Sequence, residues 1–377
     1  MMVPTYLDCN ATTPVEPAVL DAMLFYCREE YGNAGSQTHR HGSAPARALR
    51  TAREQIAAVV DASWEEVIFT SGATESNNIA ILGLAESAAA QGRRHIIATQ
   101  IEHKAVSEPV EVLRQRGFEV TLLSVDSRGR VDPAELEQAL RPDTALVSIM
   151  HVNNETGTVQ PIHEIANLLA EHPATLHTDA AQSFGKELKT LPNPRIDLIS
   201  ISGHKIYAPK GVGALVVRTG GRTRGLKPLM HGGGQERGLR PGTVPVHLAA
   251  ALGVAAKLAQ EHHDSRTTAC INFRERLMSA LAPLNPRLNG DQSHALPNVV
   301  NLSFGDIDSE AVMIALKDIV SISNGSACTA ASYTPSHVLT AMNLPAERIT
   351  AATRWSWSHL TPEPDWTAVV TRLKQLL

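Results

Sequence analysis

The strongest constraint on the fold is an alternation of short apolar runs with helical stretches between residues 63 and 217. Seven runs rich in β-branched residues predict strands over 67–70, 95–99, 118–125, 145–152, 174–178, 198–201 and 212–217. Stretches rich in Ala, Leu and Glu predict helices between several of them, over 74–90, 105–116, 133–140 and 162–172. Strands that are apolar on both faces and separated by helices are typical of a mostly parallel sheet covered on both sides.

A less regular pattern near the carboxyl terminus predicts a second domain. After a helical stretch over 246–263, we expect helices over 268–281 and 310–316, a strand over 299–304 and a last helix from about residue 364. We therefore predict a large α/β domain over residues 15–260 and a smaller α+β domain formed by residues 1–14 and 261–377, which suits a chain of 377 residues. The amino terminus does not resemble a signal peptide, and no apolar run is long enough to predict a membrane span.

Charge and cysteine content exclude several classes of function. Lys and Arg total 34 against 38 Asp and Glu, so the net charge of -4 gives no basic footprint for nucleic acid or anionic lipid. The cysteines are Cys9, Cys27, Cys270 and Cys328, without any CxxC pair. This spacing excludes a zinc ribbon and argues against a disulfide framework, so we expect a reducing, cytoplasmic compartment. No metal site is predicted.

The segment over 70–78, Thr-Ser-Gly-Ala-Thr-Glu-Ser-Asn-Asn, follows an apolar strand and opens a helix. Its backbone amides and the hydroxyls of Ser71 and Thr74 would converge at a helix amino terminus, which can bind a phosphate. Taken alone, the segment fits an ordinary helix cap better, because Ser and Thr cap helices in many proteins. It is neither a P-loop nor a GxGxxG motif, so it predicts no nucleotide site.

Two further segments place charged residues at strand ends. Asp179 follows the run over 174–178, where a cap and a ligand site are equally consistent with the sequence. Lys205 follows the run over 198–201, where desolvation can lower the pKa of an amine as a Schiff base requires, although most lysines are simply exposed. Pyridoxal phosphate needs an anchor for its phosphate, an anion for its ring nitrogen and an amine for its aldehyde. The three segments together therefore predict a pyridoxal-phosphate site.

Cys328 lies in the run Asn-Gly-Ser-Ala-Cys-Thr-Ala-Ala-Ser over 324–332. Small neighbours suit a reactive thiol, although an isolated cysteine more often has a buried structural role. For Cys9, Cys27 and Cys270 we expect the structural role. The glycine-rich run over 231–238 is interpreted as a loop near the site or as a subunit contact.

Nine segments carry a resemblance to a known family: YLDCNATTP (6–14), FTSGATESNN (69–78), EHKAV (102–106), SIMHVNNETG (148–157), HTDAAQ (177–182), SGHKIY (202–207), HGGGQERGLRPGT (231–243), SNGSACTAAS (323–332) and RWSWS (354–358). In order and spacing they resemble the pyridoxal-phosphate cysteine desulfurases of the NifS/IscS type over essentially the whole chain. Within this family the chain is most similar to the DndA-type desulfurase, which supplies sulfur for DNA phosphorothioation. The segments that carry this likeness are YLDCNATTP (6–14), NAGSQTH (33–39), NPRIDLISISGHK (193–205), SNGSACTAASYTPSHVL (323–339) and RWSW (354–357).

The resemblance implies fold type I of the pyridoxal-phosphate enzymes, with a mostly parallel seven-stranded sheet in the large domain and a catalytic cysteine loop in the smaller one. It implies a homodimer that converts L-cysteine to L-alanine, holds the sulfur as a persulfide on Cys328 and passes it to an acceptor protein. Alternatives are a housekeeping desulfurase for iron–sulfur clusters or tRNA thiolation, and a selenocysteine lyase or aminotransferase on the same fold. Only a short stretch follows the last predicted helix. This favours the role in DNA phosphorothioation over docking to an iron–sulfur scaffold protein.

The resemblance also implies the role of each site residue. The expected catalytic groups are Cys328 as nucleophile, Lys205 as the lysine bonded to the cofactor, and His103, which stacks on the ring and moves protons. The other residues expected to bind the cofactor are Ala73, Thr74, Asn154, Asp179, Gln182, Ser202, His204 and, from the other subunit, Thr243. Asn154 and Arg354 are expected to orient the substrate carboxylate. Ala208 departs from the glycine usual in the family, at a cost on the order of 1 kcal/mol if its φ is positive.

Overall fold

The computed structural model describes residues 3–36, 38–218, 225–324 and 335–376. Within these ranges the strands are β1 Thr5–Tyr6, β2 Val67–Thr70, β3 His95–Thr99, β4 Glu119–Leu123, β5 Thr144–Ser148, β6 Thr175–Asp179, β7 Leu198–Ser202, β8 Gly213–Val217, β9 Arg287–Asn289, β10 Val299–Ser303, β11 Val320–Ser321 and β12 Ala352–Ser356. The α-helices are α1 Pro17–Arg28, α2 Arg40–Val59, α3 Ala73–Ala90, α4 Lys104–Gln115, α5 Pro133–Ala139, α6 Ile162–Leu168, α7 Val246–Glu261, α8 His263–Leu281, α9 Ser309–Leu316, α10 His337–Ala341, α11 Ala346–Thr350 and α12 Trp366–Lys374.

The central sheet has seven strands in the order β2-β8-β7-β6-β5-β3-β4. From β7 to β4 every neighbouring pair is parallel, whereas β8 is antiparallel to both β2 and β7. These are the seven strands that the sequence predicts, and the mostly parallel α/β sheet is confirmed. The run over 145–152 overestimates its strand, because the chain leaves the sheet after Ser148 while staying buried.

Helices cover both faces of this sheet, so alternate side chains of one strand enter different cores. Along β7, Leu198 packs in one apolar cluster with Ile79 and Leu113 from α3 and α4. Its neighbour Ile199 packs in the other cluster, which includes Ile56 from α2. The full burial of every position in β2, β5, β6, β7 and β8 follows from this two-sided cover.

A third apolar cluster joins Leu7 near the amino terminus to residues of α8, α9 and α12. Its strands form an antiparallel sheet in the order β12-β10-β9, and β1 pairs in parallel with β11. Trp355 and Trp357 are fully buried in it. Residues near the amino terminus thus pack with the last hundred residues of the chain. This agrees with the predicted division into a large domain, 15–260, and a smaller one, 1–14 plus 261–377, and that division stays a prediction. In the described part of the chain, no helix has the length and apolar character needed to cross a membrane.

Two expectations about single residues are wrong. Cys27 is exposed on α1, whose one fully buried side chain is Val19, so it has no structural role in a core. Ala208 does not take a positive φ. In the turn after Lys205 the positive φ, 68°, belongs to Tyr207. Alanine therefore brings no left-handed strain to this turn.

Candidate active site

A cavity of about 930 Å³ opens at the carboxyl-terminal edge of the central sheet. The ends of β2, β3, β5, β6 and β7 all reach this edge, because the parallel pairings, and the two antiparallel steps through β8, give these strands one direction. The predicted site residues that line it are Ala73, Thr74, His103, Asn154, Asp179, Gln182, Ser202, His204, Lys205 and Arg354.

Lys205 ends a single 3₁₀ turn, Gly203–Lys205, that follows β7 directly. Its Nζ donates hydrogen bonds to the carbonyl oxygens of Asn10 and Ala11, at 2.5 and 2.8 Å. Burial, together with the nearby cations Arg354 and Lys186, lowers the pKa of this amine to about 7, against the opposing effect of the carboxylates of Asp8 and Asp179. A neutral, nucleophilic amine is therefore well populated near neutral pH, which attack on an aldehyde requires.

Asp179 is the last residue of β6 and is buried. Its carboxylate accepts hydrogen bonds from Asn77 Nδ2, at 2.7 Å, and from the backbone amide of Ala181, at 2.9 Å. The side chain therefore caps the turn after the strand and also lines the cavity, so the capping role is confirmed and the role in a ligand site stays a prediction. Asn77 comes from the buried face of α3 and fixes the direction of the carboxylate.

His103 is the amino-terminal cap of α4, and its Nδ1 accepts a hydrogen bond from the amide of Ala105 at 3.1 Å. This bond assigns the ring proton of the neutral imidazole to Nε2. Burial lowers the pKa of His103, Lys205 lowers it further, and Asp179 opposes the change. The ring is thus neutral near pH 7 and can both accept and donate a proton.

The turn between β2 and α3 forms, with β7 and its following turn, a candidate phosphate cup made of residues 71–74, Ser202 and His204. No side chain caps α3, so the ordinary cap that this segment suggests on its own is wrong. The uncapped first turn leaves backbone N–H groups for an anion at the positive end of the helix. Burial lowers the pKa of His204 to about 4, so its imidazole, whose Nδ1 lies 3.1 Å from Thr12 Oγ1, is neutral.

Asn154 and Arg354 meet on the side of the cavity formed by the amino-terminal segment. Arg354 Nη1 donates to the carbonyl oxygen of Asn154 at 3.0 Å, and its Nη2 lies 2.6 Å from Asp8 Oδ1. The Nε of Arg354 is buried and has no hydrogen-bond partner among the described residues. Asn10 Nδ2 donates to the same Asn154 carbonyl at 3.1 Å, so the amino-terminal segment holds this arginine in place.

Cys328 lies in 325–334, outside the described residues. The chain on both sides of that range is anchored at the cavity. Ser323 forms a backbone bridge with Arg354, Ser336 Oγ donates to Glu155 Oε2 at 2.5 Å, and His337 Nε2 donates to the Glu102 carbonyl at 3.0 Å. Ser336 and His337 also line the cavity.

Thr243 does not line the cavity of its own chain. It is exposed after the short 3₁₀ turn Glu236–Gly238, at the end of the glycine-rich run. The structure therefore brings together all the described residues predicted for the site except the one expected to act in another subunit.

Several residues at or beside the cavity escaped the sequence reasoning. They are Asn10, Asn77, Glu102, Glu155, Lys186 and His337. Glu102 is the most important residue that the sequence analysis did not predict. Burial raises the pKa of its carboxyl to about 8, and its Oε2 has no partner among the described residues. A glutamate directly before His103, after an apolar strand, was the available signal.

The cavity fits pyridoxal phosphate by the chemistry of its donors. It joins an uncapped helix amino terminus, an amine with a pKa of about 7 and a buried carboxylate. Gln182 provides a further observation, because its Nε2 donates to the Asn10 carbonyl at 2.9 Å while its Oε1 is buried without a partner in the described part of the chain. A buried unpaired oxygen is costly unless a ligand supplies its donor, as the ring hydroxyl of this cofactor would.

Comparison with known proteins agrees with this chemistry. Residues 5–365 match the model of the family described as aminotransferase class-V. The chain is 45% identical to cysteine desulfurase IscS of Vibrio cholerae over 368 residues, which are 97% of this chain and 90% of that protein. The crystal structure of DndA from Streptomyces lividans is 50% identical, with a TM-score of 0.81, over 94% of this chain and 99% of that one.

A third relative was solved with an amino acid bound. SspA in complex with cysteine is 40% identical and superposes with a TM-score of 0.85, over 95% of this chain and all of that one. Family, relatives and cavity agree on the fold, the cofactor and the chemistry. The chain belongs to the class-V aminotransferase family, and within it to the pyridoxal-phosphate-dependent cysteine desulfurases.

Proposed function

We propose that this desulfurase carries sulfur as a persulfide on Cys328 and delivers it to an acceptor protein for DNA phosphorothioation. The observation that carries this proposal is the 50% identity with DndA over nearly the whole chain, against 45% with the IscS relatives. The net charge of -4 suits delivery to a protein acceptor without direct DNA binding.

The cavity residues would divide the holding of the cofactor among them. Lys205 would bind its aldehyde carbon, Asp179 its ring nitrogen and Gln182 its ring hydroxyl. The phosphate cup, with Ala73 and Thr74 in the first turn of α3, would bind its phosphate, and Asn154 would contact the ring. When bound, the cofactor supplies an electron sink for negative charge at the substrate α-carbon.

Lys205 and His103 would move the protons. The pKa of about 7 lets Lys205 take a proton from the substrate α-carbon and return it in the same pH range. His103, neutral through burial, can accept a proton from the thiol of Cys328 or of the substrate. Because its Nδ1 is engaged by Ala105, proton exchange on that side requires the capping bond to open.

Arg354 and Asn154 would orient the substrate carboxylate, and the Nε of Arg354, which has no partner within the described ranges, would be a donor for it. The thiolate of Cys328 then attacks the substrate sulfur. A new S–S bond forms, the C–S bond breaks with its electron pair left on the carbon skeleton, and protonation of that skeleton gives L-alanine. The persulfide sulfur passes to a thiol of the acceptor, which restores Cys328.

A homodimer with Thr243 reaching the phosphate of the neighbouring subunit is part of the proposal. Its support is the exposure of Thr243 on a loop and of large apolar side chains on and near α1, including Phe25 and Tyr31. Light scattering after gel filtration tests the dimer. The cytoplasm remains the proposed compartment, because each turnover begins with a reduced Cys328 thiol.

The activity test compares two cysteine variants. With L-cysteine and reductant, C328A is expected to lower sulfide release by at least about 100-fold, because the nucleophile is gone. C27A is the matched control, since Cys27 is exposed and is not one of the described residues that line the cavity, and it should keep wild-type turnover. Equal sulfide release by C328A and C27A would refute the assignment of Cys328.

The delivery test is made in the cell from which the chain comes. Chromosomal C328A is expected to abolish phosphorothioate in DNA, detected by iodine cleavage, while thiolated tRNA nucleosides remain at wild-type level. Loss of tRNA thiolation with intact DNA phosphorothioate would overturn the proposal in favour of a housekeeping desulfurase.

A further inference from the structure

Glu75 places a negative charge in the first turn of α3, directly after the phosphate cup. Its Oε2 accepts a hydrogen bond from the backbone amide of Ser71 at 2.5 Å, and its Oε1 accepts one from Arg240 Nε at 3.0 Å. Both side chains are partly buried, at 15% exposure for Glu75 and 23% for Arg240. Neither residue lines the cavity.

A carboxylate in this place has two opposing effects. It favours the helix, because the amino terminus of a helix carries partial positive charge. It also competes with any phosphate bound to the same turn. Both anions are attracted to the partial positive charge at the amino terminus of α3, and they repel each other. The hydrogen bonds from Ser71 and Arg240 keep the pKa of Glu75 below its ordinary value, against the opposing effect of burial, so it is ionised near neutral pH.

Arg240 is brought to Glu75 by a loop that is itself firmly held. The carboxylate of Glu236 binds both Nη atoms of Arg53, at 3.0 and 2.6 Å, and accepts the amide of Phe69 on the edge strand β2 at 2.7 Å. Gly242 donates to Gln235 Oε1 at 2.8 Å. Glu236 and Arg237 both take positive φ values, 49° and 56°, which a loop keeps only where its contacts impose them.

We propose that Arg240 is a positioning residue for the cofactor phosphate, acting through Glu75. By pairing with Glu75 it offsets the one fixed negative charge of the first turn of α3 and keeps that carboxylate on the Ser71 amide, at the start of the cup. The remaining amides of the turn are then free for the phosphate. This inference rests on the proposed phosphate cup and adds to it a loop residue outside the cavity.

The test measures cofactor binding to the apoprotein, by absorbance titration with pyridoxal phosphate and, separately, with pyridoxal, which lacks the phosphate. R240M is expected to weaken pyridoxal-phosphate binding roughly tenfold, because the Glu75 charge is no longer offset. Pyridoxal binding should stay within about twofold, since no phosphate meets that charge. The loss should shrink at high salt, which screens partly exposed charges.

The decisive variant is the double substitution E75Q/R240M. If Arg240 acts through Glu75, removing the uncompensated carboxylate restores the affinity for pyridoxal phosphate to within about threefold of wild type. An affinity that stays as low as in R240M would overturn the proposal, because Arg240 would then act directly or through the loop. E75Q alone should bind the cofactor at least as tightly as wild type, and weaker binding contradicts the inference.

Two controls separate this inference from the phosphate cup on which it rests. R114M removes an arginine from an exposed ion pair with Glu111 on α4 and should change neither affinity. T74A removes a hydroxyl of the cup itself. If T74A weakens phosphate-dependent binding and R240M does not, the cup is correct and the inference about Arg240 is wrong. If T74A has no effect, the cup itself is wrong.

Discussion

At the scale of single residues, the cavity is governed by desolvation. Burial is the largest cause of the lowered pKa of Lys205, about 7, of the lowered pKa of His204, about 4, and of the raised pKa of Glu102, about 8. His204 and Glu102 therefore favour their neutral forms near neutral pH, and about half of Lys205 is neutral there. Neutral amines and imidazoles are the forms that attack carbon and accept protons, so exclusion of water prepares the site before any ligand binds.

The buried Glu102 gives a pH-dependent prediction. Its folded-state pKa is raised from 4.5 to about 8, so between these values the unfolded chain releases a proton that the folded protein keeps. The wild type thus loses stability as pH rises through this window, by up to about 4 kcal/mol. In E102Q the amide oxygen can still accept from Thr99 and Met150, and the loss disappears. Urea unfolding should show the E102Q advantage growing from pH 5 to pH 8.

E111Q is the control for this prediction, because Glu111 is an exposed glutamate on α4. Its difference from wild type should not grow over the same pH range by a comparable amount. An E102Q advantage of equal size at pH 5 and pH 8 would mean that the folded protein already holds Glu102 ionised at the lower pH.

The sequence predicts those site residues whose type is unusual for their place. A lysine after a fully apolar strand and an aspartate at the end of another are such cases, and Lys205 and Asp179 do line one cavity. Asn10 could not be predicted in this way, because it acts through its main-chain oxygen on Lys205 and Gln182. A backbone acceptor leaves no trace in side-chain chemistry, and its partners lie nearly two hundred residues away.

At the scale of elements, the start of β8 packs against the turn that begins α3. A Cβ built on Gly213 would lie 2.3 Å from the Ile201 oxygen and 2.6 Å from the Cα of Gly72. G213A therefore forces β8 and the phosphate cup apart. We expect a loss of about 2 kcal/mol in unfolding free energy, together with weaker cofactor binding. Thermal unfolding and the absorbance of bound cofactor measure the two effects.

G35A is the matched control for G213A. Gly35 is exposed, and a Cβ there would contact only the Asn33 side-chain oxygen, at 3.2 Å, which can move aside. It should keep wild-type stability and cofactor content. If G213A does the same, the close approach of β8 to the cup is not needed to hold the cofactor.

Elements buried on both faces were predictable, and amphipathic ones near the amino terminus were not. The run 67–70 matches β2, whose four residues are all buried. No helix was predicted over α2, whose first turns, Arg-His-Gly-Ser-Ala-Pro, include Gly and Pro, the residues least favourable in a helix interior. Its stability comes from packing of Ala52 and Ile56 against the sheet and α7, a tertiary effect that local propensity does not contain.

At the scale of the whole molecule, parts distant in sequence are joined close to Lys205. Glu16, before α1, accepts two hydrogen bonds from Arg266 Nη2 of α8, at 2.9 and 2.7 Å. His359 lies 3.4 Å from the same carboxylate, and its ring stands edge-on to Tyr207 with centroids 4.7 Å apart. The cluster therefore links the predicted smaller domain to the turn that carries Lys205, and the chemistry of the site depends on how these parts are held together.

The last prediction compares two arginines of the same helix α8. The pair of Arg266 with Glu16 is nearly buried, at 10% and 15% exposure, so R266M leaves a desolvated carboxylate with only His359 beside it. We expect R266M to lower the free energy of unfolding by about 3 kcal/mol. Arg276 pairs with Glu363 at 53% and 40% exposure, and R276M should cost less than about 1 kcal/mol.

Chemical denaturation followed by tryptophan fluorescence measures both variants, because Trp355 and Trp357 are buried in the cluster of α8, α9 and α12. The double variant E16M/R266M should recover much of the loss, since two apolar side chains leave no unpaired charge. If R266M and R276M lowered the free energy of unfolding equally, burial of the Glu16–Arg266 pair would not determine how much that pair stabilises the protein. A double variant as unstable as R266M would show that packing, and not charge, joins the two parts of the chain at this point.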